Sequence, residues 1–230
     1  DDIIIGATNA RPNGRDSGES YVVFGIDGVD PVVSANQSFT IPENSSEGVV
    51  VGRVVATDNV EITGFTLSGD PDGFFAIDAD GNITLTADGA AGAANDFETF
   101  PHQFVLTVAA SDAAGNTDEN TVTINVTPVN EAPTAPATNT VTLDEDSVSG
   151  AVTIGATDVD DATLTYAVKT GSEPALGEVN FNPAADTFTY PPTANANGSD
   201  RFTIVVTDGA GLPVEQEVDV IINPVNDAPT

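Results

Sequence analysis

The sequence predicts an all-β protein made of two tandem Greek-key β-sandwiches behind a short N-terminal β segment. Internal repetition is the first observation behind this. VTINVTPVNEAPT, from Val122 to Thr134, returns as VDVIINPVNDAPT, from Val218 to Thr230, at an offset of 96 residues. The same offset carries Asp112 onto Asp208, and VVATD ending at Asp58 aligns with IGATD ending at Asp158, now at an offset of 100. Order is kept and spacing drifts by a few residues, which loops absorb at little entropic cost. The second observation is apolar alternation at period two, and the third is a turn signal every ten or so residues. Together they describe many short strands in about 100 residues, the pattern of a two-sheet sandwich.

The strands follow in order. In the first unit Phe104, Leu106, Val108 and Ala110 alternate with their neighbours, as do Val122, Ile124 and Val126. In the second, Phe202, Ile204 and Val206 precede Val218, Val220 and Ile222. β-Branched residues on one face at period two mean half-buried strands. The turns fall at Asp80-Gly81, Ala114-Gly115, Asn197-Gly198 and Asp208-Gly209. No segment carries a 3.6-residue apolar stripe, so no helix is expected. Each unit ends at a proline, Pro133 and Pro229, which cannot continue a central ladder. The domains are therefore set at 31–133 and 134–230, with 1–30 as a separate N-terminal segment and no long Gly/Ser linker between the domains. The opening DDIIIG has neither a basic n-region nor an apolar h-region, and the pattern starts in mid-repeat, so a piece of a longer chain is expected.

Charge narrows the function. Thirty-six acidic residues face five basic ones, for a formal net charge of −31. Nucleic acid and anionic membranes are excluded as partners, because phosphate binding needs Lys and Arg to replace counterions. No stretch approaches the apolar length of a membrane span, so no direct membrane insertion is expected. There is no Cys, hence no disulfide, thiolate metal site or Cys nucleophile. Two readings of the acidity remain open: a solvated, salt-adapted surface, and carboxylates that act as ligands to a hard cation.

Six motifs of the first unit lie in register with one family. They are FTIPENS (Phe39 to Ser45), GRVVATD (Gly52 to Asp58), FAIDADGNITL (Phe75 to Leu85), DFET (Asp96 to Thr99), VAASDAAG (Val108 to Gly115) and VNEAP (Val129 to Pro133). In order and spacing they resemble a cadherin repeat. TLDEDS (Thr142 to Ser147), the stretch Phe188 to Gly209 and the closing NDAP resemble the VCBS and cadherin-like repeats of bacterial secreted adhesins. Residues 1–25, with Ile3-Ile4-Ile5-Gly6-Ala7 and Tyr21-Val22-Val23-Phe24-Gly25, resemble the latter part of an FG-GAP repeat of integrin-like propellers.

The cadherin resemblance implies calcium at the junction of the two domains. It assigns Glu43, Asp96 and Glu98 from the first domain, Asn130 and Glu131 from the linker, and Asp158, Asp160 and Asp208 from the second domain. Residues at strand ends and turns let carboxylates converge on a cation that accepts six to eight oxygens. Thr127 and Pro128 stand where the family has an additional Asp, so one or two ions are expected rather than three. Asp58 and Asp112 repeat the pattern in the first unit, but Val60 replaces the second Asp of the pair. The second unit has no Leu-Asp-x-Glu segment, and Asp200, read as a turn residue, is the nearest substitute. Glu145, Asn226 and Asp227 would hold calcium only with a following domain.

Other candidates reduce to structure. Asp78 to Gly81 reads as a hairpin turn, since no Glu arrives at EF-hand spacing. The single histidine, His102, has no partner type for zinc and is read as a strand-edge or surface residue. No nucleophile stands with an activating base, so an enzyme is not expected. The resemblance implies an extracellular or cell-surface module of a bacterial secreted protein, with calcium stiffening the repeats for adhesion. Candidate partners are other copies of the chain, cell-surface proteins and polysaccharide. Homophilic strand exchange anchored by Trp is excluded, because the chain has no Trp. The alternative is an ancillary carbohydrate-binding module of a polysaccharide-acting protein, which would display Tyr166, Phe181 or Tyr190 on its surface.

Overall fold

The computed structural model describes residues 3–6, 20–23, 28–99 and 101–226. Strands β1 (Ile3–Gly6) and β2 (Ser20–Val23) pair antiparallel, Ile3 opposite Val23 and Gly6 opposite Ser20. By contacts the chain divides into two compact units, Asp1–Val129 and Asn130–Thr230.

In the first unit come β3 (Val32–Val33), β4 (Gln37–Pro42), β5 (Val50–Arg53), β6 (Ala56–Thr57) and β7 (Ile62–Ser68). Then follow β8 (Phe75–Ile77), β9 (Asn82–Leu85), helix α1 (Ala87–Ala91), β10 (Gln103–Asp112) and β11 (Thr117–Thr127). One sheet has the order β4-β11-β10-β7; facing it are β5-β9-β8 and the β3-β6 pair. The long β10–β11 hairpin is antiparallel, whereas β4 lies parallel to β11, Val122 opposite Gln37. A parallel first and last strand needs the chain to cross between sheets, which makes the unit a sandwich rather than a meander.

The second unit repeats this plan. It contains β12 (Thr138–Asp144), β13 (Val152–Thr153), β14 (Thr165–Val168), β15 (Asn180–Asn182), β16 (Thr187–Thr189), β17 (Gly198–Thr207) and β18 (Pro213–Asn223). The sheets are β12-β18-β17-β14 and β13-β16-β15, and β12 again runs parallel to β18.

Alternation decides what is buried. Leu106, Val108, Ala110, Val122, Ile124 and Val126 line the first core, where Phe74 and Phe75 set their rings edge-on to Phe104. Phe202, Ile204, Val206, Val218, Val220 and Ile222 line the second, with Phe188 edge-on to Phe202 at 5.7 Å. Each such side chain contributes about 1.5–3 kcal/mol on leaving water.

Two local features differ from the sequence expectation, the helix α1 and the place of Asp200. Helix α1 exists, capped by the Thr86 hydroxyl, which accepts the Gly89 N–H at 3.0 Å; five residues are too short to show a stripe. The β17–β18 turn falls at Asp208-Gly209 as expected, and the glycine it holds in the left-handed region is Gly211 (φ +97°). Asp200 is a strand residue of β17 rather than part of a turn. The Asp78 to Gly81 segment is the β8–β9 hairpin turn, where Asp78 Oδ1 accepts the N–H groups of Asp80 and Asn82.

Candidate metal centre

The β17–β18 turn and the loop after β13 carry the acidic residues at one pole of the second unit. The turn is tied by Asp208, 5% exposed, whose Oδ1 accepts the N–H groups of Gly211 and Leu212 at 2.6 and 2.7 Å. Its Oδ2 accepts the side-chain amide of Asn130 at 2.7 Å. That amide, together with the backbone N–H groups and against the effect of burial, holds the Asp208 carboxyl below the usual carboxylate range. Donation through Nδ2 leaves the Asn130 Oδ1 as an acceptor oxygen.

Asp158 organises the loop. Its Oδ1 accepts the N–H groups of Asp160 and Asp161, both at 2.9 Å, which curls the DVDD run into a turn. Asp160 Oδ2 then accepts the Glu131 N–H at 2.8 Å, and Asp161 Oδ2 accepts the Gly209 N–H at 2.7 Å. Within this unit the structure thus ties together Asn130, Glu131, Asp158, Asp160 and Asp208, five of the eight expected ligands. Asp161 is a further carboxylate there that sequence reasoning did not assign; the third acid of the run was the available signal.

Asp158 Oδ2 is buried and has no hydrogen-bond partner. An unsatisfied buried polar atom costs about 1–3 kcal/mol, and more when charged. A cation offsets that cost. The donors are all oxygens, several of them carboxylate, which suits a hard divalent cation and not a soft metal. The residues therefore fit such an ion.

The first unit has a related pole. Asp112 Oδ1 accepts the N–H groups of Ala114 and Asn116, and Oδ2 the Asn116 side-chain amide at 2.7 Å. Asp58 Oδ2 accepts the Val60 N–H, while Asp58 Oδ1 is buried without a hydrogen-bond partner. The same turn forms in both units, but Val60 brings no carboxylate.

Glu43, Asp96 and Glu98, the other three expected ligands, lie in the first unit. Glu43 is 3% exposed; Oε2 accepts the Phe97 N–H at 2.6 Å and Oε1 the Val129 N–H at 2.8 Å. Its position after β4 lets one carboxylate pin both the 96–99 segment and the end of the unit. Asp96 turns back on Thr99, accepting its N–H and hydroxyl, and Glu98 is exposed. Glu145 plays the Glu43 part in the second unit, accepting the Val225 N–H at 2.6 Å and the Asn197 amide at 3.0 Å. Asp227 lies outside the described residues.

Asp200 is not a ligand substitute. It is buried and accepts the Tyr190 hydroxyl at 2.5 Å and the N–H groups of Ala175, Leu176 and Arg201. Burial pushes this carboxyl up, but those hydrogen bonds outweigh it and leave it below the usual range. His102 stacks on Phe97 with ring centroids 4.1 Å apart. Tyr190 is fully buried, and Tyr166 and Phe181 pack against the second core, with the Tyr166 hydroxyl on Asp186 at 2.9 Å. None of the three is an exposed sugar platform.

Residues 130–224 match the family model for a bacterial cadherin-like domain, and residues 29–125 that for a bacterial Ig domain. The first unit, whose motifs resemble a cadherin repeat, thus matches an Ig-type model, and the cadherin-like match falls on the second. No curated protein matches the chain at a significant level. Among solved structures it is similar to Drosophila N-cadherin EC1-4 (21% identity, TM-score 0.62, 85% of this chain and 50% of that one). Mouse cadherin-23 EC22-24 is also similar (22%, 0.56, 85% and 65%), as is the human desmocollin-1 ectodomain (16%, 0.52, 100% and 49%). The chain spans about half to two thirds of those chains, and identities this low speak to the fold alone. Among the described residues no helix is long and apolar enough to cross a membrane. A bacterial cadherin-like domain is thus found at residues 130–224 and a bacterial Ig domain at residues 29–125, β-sandwich domains of a kind that generally serves as extracellular adhesion or structural modules and is typically not enzymatic.

Proposed function

We propose that the chain is a calcium-binding structural module of a bacterial secreted or surface-displayed adhesive protein, whose tandem domains are stiffened by calcium. The observation that carries this reading is the buried Asp158 Oδ2, which has no hydrogen-bond partner and stands in a turn shared with Asp160 and Asp161. Asn130 and Glu131 from the linker and Asp158, Asp160 and Asp208 from the second domain are proposed ligands. Glu43, Asp96 and Glu98 are those that the sequence motifs assign from the first. Calcium would supply positive charge that several carboxylates share, turning a mutually repelling linker region into a held joint. We take the domains as 31–133 and 134–230 and residues 1–30 as a separate segment that resembles part of an FG-GAP blade. The stiffened array would present a neighbouring binding region to other copies of the chain, to cell-surface proteins or to polysaccharide.

Calcium titration calorimetry on the parent chain, on Asp158→Asn and on an Asp158→Ala/Asp160→Ala variant tests the assignment. Binding in the parent, in the extracellular range of about 10⁻⁴–10⁻³ M, that weakens at least tenfold in both variants is expected. Undiminished binding in two folded variants removes these residues from the ligand set.

A further inference from the structure

Asn197, the residue before β17, and Gly198, the first residue of β17 opposite Ile222, form a reactive pair that the metal reading leaves unused. Asn197 is exposed and is followed by Gly198. Gly198 has φ +114°, and no atom lies within 4 Å of where a β-carbon would stand. A glycine in this position puts no side chain in the way of its own backbone nitrogen. The Asn197 amide is not an idle surface group: it donates to Glu145 Oε2 at 3.0 Å, and Glu145, 7% exposed, holds the Val225 N–H on its other oxygen.

We propose that Asn197 is a site of spontaneous deamidation, which replaces the amide that satisfies Glu145 with a second carboxylate facing it. The Gly198 nitrogen attacks Asn197 Cγ, a C–N bond forms, and the amide nitrogen leaves as ammonia with the proton that Gly198 gives up. Water then opens the resulting five-membered imide at either carbonyl, leaving an aspartyl or isoaspartyl residue. No oxidant or cofactor is needed. The product has lost the donor to Glu145 Oε2 and gained a like charge beside a nearly buried carboxylate. Glu145 still holds the Val225 N–H, so the repulsion is passed to residues 224–226, which follow β18. The age of the protein is thereby written into the hold on the segment after β18, independently of whether the other pole binds calcium.

The test is peptide mass spectrometry of the intact folded chain, incubated in mildly alkaline buffer at physiological temperature. Asn82 and Asn125 are internal references, since bulky Ile83 and Val126 follow them. Asn197 should gain about one mass unit and the isoaspartyl signature many times faster than either reference, because Gly198 carries no side chain to hinder the attack. Asn197→Gln, whose longer side chain closes a six-membered ring poorly, should remain unchanged. Conversion at Asn197 no faster than at Asn82 or Asn125 overturns the proposal. Asn197→Asp should raise hydrogen exchange at the Val225 amide several-fold while the amides of β17 and β18 stay protected. Unaltered exchange at Val225 overturns the link to Glu145.

Discussion

Asp158→Asn changes one oxygen to an amide nitrogen and leaves the turn-forming oxygen in place, so it separates charge from shape. Oδ1 can still accept from Asp160 and Asp161. Oδ2, buried without a partner, becomes a neutral NH₂. In chelator the substitution removes an unsatisfied charged atom, whose cost is about 1–3 kcal/mol. It also removes a like charge from the turn that Asp160 and Asp161 share. The variant is therefore expected to be more stable than the parent without calcium, by about 1–3 kcal/mol. With calcium at a hundredfold excess over the parent's Kd, the parent gains about 2.7 kcal/mol and a variant bound tenfold more weakly at most about 1.4 kcal/mol. Calcium therefore narrows the variant's lead by at least about 1.3 kcal/mol. For a domain of about 100 residues each kcal/mol moves Tm by about 4–8 °C, well within the reach of scanning calorimetry. A variant less stable than the parent in chelator, with an undiminished calcium shift, would refute the idea that Asp158 Oδ2 awaits a cation.

Other substitutions probe the frame. Tyr190→Phe deletes the hydroxyl donated to buried Asp200, and should cost about 1.5–3 kcal/mol in calcium and in chelator alike, read from urea midpoints. Glu43→Ala strands the Phe97 and Val129 N–H groups and should cost about 2–4 kcal/mol, while Glu43→Gln, which keeps one acceptor, should recover part of that. Asp200 and Asp208 have folded pKa values below their unfolded ones. Their stabilisation is therefore complete above the unfolded carboxyl pKa and is lost as pH falls through the lower folded values. Acid unfolding in chelator should start below about pH 4, and Asp200→Asn should flatten that limb.

Most of the core was legible because one-sided burial leaves period-two alternation. Leu106 to Ala110 and Phe202 to Val206 fall on the core face for that reason. The repeat offset likewise marked Asp112 and Asp208 as equivalents, and both tie the turn after the penultimate strand. Asp200 was misread because a carboxylate next to Asn-Gly-Ser looks like loop, and only the fold brings Tyr190 over it. The Asp208-Gly209 turn was legible from its residue pair, whereas the bonds from Asp208 Oδ1 that make Gly211 the left-handed position show only in the fold. Asp161 escaped notice because its contact, the Gly209 N–H, is 48 residues away.

The central claim, that calcium turns the tandem into a held joint, is tested most directly by the distance distribution between spin labels, one in each domain. Labels on cysteines introduced at Thr121 and Thr203, in the parent and in the Asp158→Ala/Asp160→Ala variant, should give a broad distribution in chelator for both. Calcium should narrow it in the parent alone. Equal narrowing in both proteins, or narrowing by sodium chloride without calcium, would contradict the account and leave the carboxylates as a salt-adapted surface.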